Sequence, residues 1–209
     1  VFPNNWVSFH SDGTVVLYPM CAVNRRSERR MDTIDELSQE FRIEKIINLS
    51  HFESEGRFLE GTGSMVLDRM NRVAYACISP RTNEEVLDAW AKQMRYQLVK
   101  FTSVDTHGKE VYHTNVVMCI GDTFAVICLN SIPDLDERLM VKDALESSGK
   151  NVIEISLDQM NNFAGNMLSL KNKNGDSFLV MSQTAFDSLD KNQIEILSQC
   201  HQLLPIAIP

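Results

Sequence analysis

The sequence predicts an α/β fold, and three observations carry that prediction. A strand, strand, helix, strand order recurs four times along the 209 residues. The residues opening these units are regularly spaced: Gly63, Asn115 and Asn166 lie 52 and 51 positions apart, while Asn5 precedes Gly63 by 58 because the first connection is longer. Several of the turns and helix starts between them carry local signals of their own, glycine in hairpin turns and polar caps followed by acids. A period near 50 residues in such units implies a ring or an array.

In the first unit, 7–10 and 14–18 read as strands around Ser11-Asp12-Gly13, where glycine accepts the positive φ of a hairpin turn. Met31, Ile34, Leu37 and Phe41 recur at helical spacing within 28–41, and an alternating strand follows over 43–49. The second unit has strands over 64–67 and 73–78. Thr82-Asn83-Glu84-Glu85 then opens a helix with Val86, Leu87, Trp90 and Met94 on one face, and a strand follows over 97–104. In the third, strands 116–120 and 124–129 flank Gly121-Asp122, a helix starts at Asp134-Leu135-Asp136-Glu137, and 152–156 closes the unit. The fourth runs through strands 167–170 and 178–181, a helix over 185–199 and a strand over 203–208.

A hydrophobic content of 44% over this length allows a sizeable core. The formal net charge of −8 argues against a nucleic-acid groove or an anionic membrane surface, the run from Arg25 to Arg30 being the exception. No apolar stretch nears the ~20 residues of a bilayer span and no leader pattern opens the chain, so a cytoplasmic location is expected. Cys21, Cys77, Cys119, Cys128 and Cys200 show no paired spacing, which suggests neither a zinc site nor a disulfide framework. Cys119 shares the strand parity of His113 but lies ~20 Å further along an extended strand. The other four sit in or beside apolar runs, so all five read as structural thiols.

Each unit opens on a cluster of polar or small residues: Phe2-Pro3-Asn4-Asn5, Leu59-Glu60-Gly61-Thr62-Gly63, Tyr112-His113-Thr114-Asn115 and Phe163-Ala164-Gly165-Asn166. In a ring, equivalent positions lie at equivalent distances from the axis, which brings the clusters to one mouth where a small-molecule site can form. Taken alone, His113 reads as a histidine capping a strand, Glu60 as a strand-end acid, and Arg25 and Arg81 as solvated or helix-end charges.

The order Phe-Pro-Asn-Asn, Glu-Gly-Thr-Gly, Ser79-Pro80-Arg81-Thr82, His113-Thr114-Asn115 and Gly165-Asn166 resembles the guanidino-group-modifying superfamily, and within it the bacterial citrulline-hydrolysing branch. The resemblance covers essentially the whole chain. It implies an α/β propeller of ββαβ units, with four seen here and five expected, so that 1–209 would be a single domain incomplete at both ends. It also implies a cysteine-dependent hydrolase taking citrulline to ornithine, ammonia and carbon dioxide, with no cofactor or metal. The nucleophile would lie in a glycine-rich segment after Pro209, leaving the 209-residue chain inactive. An amidinotransferase or arginine deiminase-type enzyme is the alternative within the superfamily. A non-catalytic propeller, as in the ribosome anti-association factor, is the alternative outside catalysis.

Under this resemblance His113 is the acid and base, since imidazole can protonate a leaving amine and then deprotonate water. Glu60 holds the terminal nitrogens of the substrate. Arg81, and Arg25 with its partner Glu28, match positions that take the amino-acid end, a carboxylate suited to bidentate guanidinium contact. Arginine deiminases carry aspartates where this chain has Asn5 and Asn115. Asparagine can donate to a ureido oxygen, which shifts the expected preference toward citrulline. Gly63 departs from the Glu-Gly-Gly-Asp of many relatives and removes another carboxylate. The expected partner is a small molecule, and a homodimer is compatible with the architecture.

Overall fold

The computed structural model describes residues 3–207. Phe2 of the first cluster and Ile208 of the last predicted strand lie outside them. Four three-stranded sheets follow one another along the chain. The first unit comprises β1 (Val7–Phe9), β2 (Thr14–Leu17), α1 (Met31–Leu37) and β3 (Lys45–Asn48). The second has a short α2 (Gly61–Ser64) before β4 (Val66–Asp68), β5 (Val73–Cys77), α3 (Glu84–Met94) and β6 (Gln97–Phe101). The third has α4 (Thr114–Val117), β7 (Met118–Ile120), β8 (Phe124–Ile127), α5 (Leu135–Ser147) and β9 (Asn151–Glu154). After α6 (Leu157–Asn161), the fourth has β10 (Leu168–Lys171), β11 (Ser177–Ser182), α7 (Gln183–Ser188), α8 (Lys191–Cys200) and β12 (Gln202–Ile206).

Every unit repeats one pairing scheme. An antiparallel hairpin forms first, and the third strand then joins its second strand in parallel, as in Val66↔Tyr75 followed by Tyr75↔Val99. A parallel partner requires a crossover, which the intervening helical segment supplies. β2, β5 and β8 are buried along their whole length. Strand alternation lets β5 serve two cores. Ala74 and Ala76 join Val16, Tyr18 and the inner face of α3, while Val73, Tyr75 and Cys77 join the core shared with the third and fourth units. The cores therefore lie between neighbouring units, and β7 sits beside both β4 and β10.

Local chemistry explains the element boundaries. The Asn83 side chain accepts from the backbone N–H groups of Glu85 and Val86, and Arg95 ends α3 in the left-handed conformation. Asp134 caps α5 as predicted. Four expectations are corrected. The predicted strand over 116–120 begins with the helical turn of α4, and that over 64–67 begins inside α2. The helix predicted over 28–41 is shortened to α1 at 31–37; a 3-10 turn, Val23–Glu28, precedes it, and Arg26 and Arg29 there bind Glu53 and the carbonyls of Met20 and Tyr18. The helix predicted over 185–199 is two, because Asp190 and Gln193 form a reciprocal capping box that starts α8 afresh. The same device at Ser156 and Gln159 starts α6, which the sequence patterning did not reveal. Among the described residues, no helix is long and apolar enough to cross a membrane.

Candidate active site

The unit starts meet because small residues let their backbones approach. α2 packs against both the Pro3–Asn5 turn and α4. Gly61 has φ +49°, and a Cβ there would stand 2.1 Å from the Asn4 carbonyl oxygen. Gly165 approaches α4 equally closely, with its virtual Cβ 2.4 Å from Val116 O. The Asn166 amide donates to the Asn115 carbonyl at 2.9 Å. All four starts are thus joined by contact.

Glu60 lies at the centre of this junction and is fully buried. Its Oε1 accepts from the Cys21 backbone N–H at 2.9 Å. Oε2 accepts from His113 Nε2 at 2.7 Å and from Arg81 Nη1 at 3.4 Å. Burial alone would raise the Glu60 carboxyl, but the His113 and Cys21 hydrogen bonds, with the charges of His113 and Arg81, outweigh it and hold the group below the usual glutamate range. An ionised carboxylate cannot donate, so the hydrogen of the His113–Glu60 contact belongs to Nε2.

His113 is extended, at the residue before α4, and its ring is nearly as buried. Thr114 fixes the backbone beside it, donating to the Ser64 carbonyl at 2.5 Å and accepting from Cys77 N–H at 2.8 Å. Ser64 in turn accepts from Glu60 N–H at 2.8 Å and donates to the Arg81 carbonyl at 2.7 Å. These buried hydroxyls link the second and third unit starts and fix Glu60 against His113. Asn5 Nδ2 lies 3.4 Å from His113 Nε2.

Arg81 stacks over the Tyr112 ring, 4.8 Å from its centroid, and Tyr112 leans on His113 with ring centroids 4.8 Å apart. Cys21, Pro80, Arg81, Lys109, Glu110 and Tyr112 line a cavity of about 510 Å³ beside this junction. Arg25 holds Glu28 through two contacts of 3.0 Å; that bond raises its already high pKa and the charge of Glu60 adds to it. The structure therefore brings Glu60, His113, Asn5 and Arg81 together, with Arg25 within their electrostatic field. Asn115 reaches the junction through its carbonyl. Among the described residues, no hydrogen bond joins its side chain to Glu60 or His113.

The uniform reading of the cysteines is corrected. Cys77, Cys119 and Cys128 are buried, and burial pushes the Cys77 and Cys119 thiols up to about 12. Cys21 is only partly buried and lines the cavity, and Cys200 is exposed. The expectation that the nucleophilic cysteine is missing, leaving the 209-residue chain inactive, is not supported: Cys77 and Cys119 are present, and the main-chain N–H groups of Cys77 and Cys21 bond Thr114 and Glu60. Sequence reasoning placed Tyr112 and Thr114 in a converging cluster but gave them no role of their own, and it missed Ser64. The Thr114 position inside the His-Thr-Asn motif was the available signal.

A family model described as N,N dimethylarginine dimethylhydrolase, eukaryotic, matches residues 1–209. The chain belongs to this family. With it comes membership of the guanidino-group-modifying superfamily. No curated protein matches significantly. Among solved structures, apo ArgZ, an arginine dihydrolase from the ornithine-ammonia cycle in cyanobacteria, is similar with a TM-score of 0.74 at 17% identity, over 99% of this chain and 30% of that one. A variant of AgrE in complex with L-arginine gives 0.72 at 18%, over 99% and 28%. A cysteine-to-serine variant of the dimethylarginine dimethylhydrolase family enzyme DDAH from Pseudomonas aeruginosa, complexed with citrulline, gives 0.64 at 16%, over 99% and 69%. This chain therefore spans about a third of the ArgZ and AgrE chains. At these identities the likeness concerns the fold.

Proposed function

We propose that the protein is a cysteine-dependent hydrolase of a ureido or guanidino amino acid, with citrulline as the leading substrate and ornithine, ammonia and carbon dioxide as products. One observation carries this reading: a buried, ionised Glu60 is locked to His113 at the meeting point of the unit starts, beside a cavity bordered by Arg81. A merely structural histidine has no need of a buried carboxylate whose desolvation must be offset by three donors.

In the proposed reaction a cysteine thiolate adds to the ureido carbon and the C–N bond breaks. His113 gives a proton to the departing nitrogen, leaving a thiocarbamoyl group on sulfur. It then takes a proton from water, and hydrolysis frees the thiolate and releases carbamate, which breaks down to ammonia and carbon dioxide. Glu60 fixes Nε2 and stabilises the imidazolium, so Nδ1 is the nitrogen that exchanges protons. Arg81, now resting between Glu60 and Tyr112, turns to the substrate carboxylate, which frees Glu60 Oε2 to accept from a substrate nitrogen. Arg25 supports the same anionic end. Asn5 and Asn115 supply amide dipoles where a carboxylate would favour a cation. Support for covalent chemistry comes from ArgZ, whose N-terminal domain has been seen covalently bonded to a reaction intermediate.

The four units fit the blades of an α/β propeller. A fifth unit would cover exposed apolar side chains on the outer units, including Phe9 and Ile46 on the first and Leu168, Leu170 and Leu204 on the fourth. The family match favours dimethylarginine as a second substrate reading. A panel of citrulline, arginine and dimethylarginine, with and without added glycine, separates the readings. Citrulline turnover without transfer to glycine supports the proposal. Faster hydrolysis of arginine or dimethylarginine, or a transfer product, contradicts it.

A further inference from the structure

Gly63 is the third residue of α2, and unlike Gly61 it has no positive φ. The backbone does not require glycine here, and alanine is ordinarily the better residue in a helical turn. Space does require it. A Cβ on Gly63 would lie 2.9 Å from Asn5 Nδ2, 2.9 Å from His113 Cε1 and 3.0 Å from His113 Nδ1. These neighbours have little freedom to retreat. The His113 side chain is 9% exposed and tied to a carboxylate that is 0% exposed, and Asn5 is 5% exposed.

From this juxtaposition we infer that Gly63 is a positioning residue: the absence of a side chain forms the seat in which the His113 ring and the Asn5 amide lie against each other. The inference rests on the reading of His113 as the acid and base. It adds that the loss of a carboxylate at 63 is also a steric condition, because an aspartate could not occupy this position with the ring where it stands. A displacement of the ring on the order of 1 Å is enough to cost a reaction about 100-fold.

The test reads geometry rather than turnover, so failure of the proposed reaction and failure of this inference are separate outcomes. Nitrogen NMR of the full chain, with labelled histidine and H113Q to identify the signal, should show a slowly exchanging Nε2–H in the wild type. G63A should shift both ring nitrogens and speed that exchange. Identical signals in wild type and G63A would overturn the inference. Thermal unfolding of wild type, G63A, H113A and G63A/H113A completes the cycle. The Gly63→Ala loss in Tm should largely disappear in the H113A background, where Asn5 can turn into the vacated space. If G63A alone does not fold, recovery of folding in the double variant supports the seat. An equal loss in both backgrounds, or a double variant that fails where H113A folds, overturns it.

Discussion

Glu60 shows how a residue of unremarkable type acquires its properties from its surroundings. Its carboxyl is held below the ordinary range in the folded chain, so the unfolded chain takes up the proton first as pH falls. The sign follows: Glu60 stabilises the fold above its ordinary pKa, and that contribution is lost as pH drops through the lower folded value. Tm against pH should therefore fall steeply below about pH 4, and E60Q should flatten that limb while lowering stability at neutral pH. His10 behaves in the same direction for a different reason. Burial, followed by the charge of Arg69, lowers it to about 4, so stability should decline as pH falls from 6.5 towards 4 and H10Q should remove that slope. Thiol reactivity offers a separate check. Cys21 and Cys200 should react readily with a thiol reagent, whereas Cys77, Cys119 and Cys128 should react only after unfolding. Rapid labelling of the buried three would contradict the structure. Glu60 and His113 were legible in the sequence because they open repeated units. The environment that fixes their roles was not, since Cys21 reaches Glu60 across 39 residues and through its main chain.

Helices with strong caps were the most legible elements. Asn83 and Asp134 are short polar residues followed by acids, and both cap helices as that order predicts. N83A should cost about 1 kcal/mol, a fall of a few degrees in Tm, because two backbone N–H groups lose their acceptor. An unchanged Tm would show that solvent satisfies those donors equally well. Elements were misjudged where tertiary partners override local pattern. Arg26 and Arg29 hold the segment before α1 in a 3-10 turn by binding Glu53, a residue beyond the first sheet. The predicted strand beginnings at 64 and 116 are helical turns, which the apolar runs that follow do not distinguish by period. Those turns matter to the site, since they aim Glu60 and His113 at each other from separate units.

At the scale of the whole molecule, four repeated units share cores and buried polar links. Lys150 of the third unit contacts Asp68 of the second at 3.1 Å, both side chains being 2% exposed, and also donates to the Asp122 carbonyl. K150M should cost about 3 kcal/mol by leaving the Asp68 carboxylate buried without its counter-ion, held only by the Asn71 N–H donors, while D68N/K150M should recover part of that loss. The repeat made the convergence of unit starts readable in the sequence, because spacing alone places equivalent residues at equivalent positions. It could not show which side chains touch. Asn115, one of the two asparagines expected to set the substrate, is held through its carbonyl, whereas Asn5 lies against the His113 ring. The central claim is that the Glu60 and His113 pair moves protons in the cleavage of a ureido carbon-nitrogen bond. Ammonia release from citrulline by H113Q, measured beside the wild type with Tm as a control, tests it most directly. The account predicts a fall of about 10²- to 10⁴-fold with the fold retained. Undiminished release by a folded H113Q protein would contradict it.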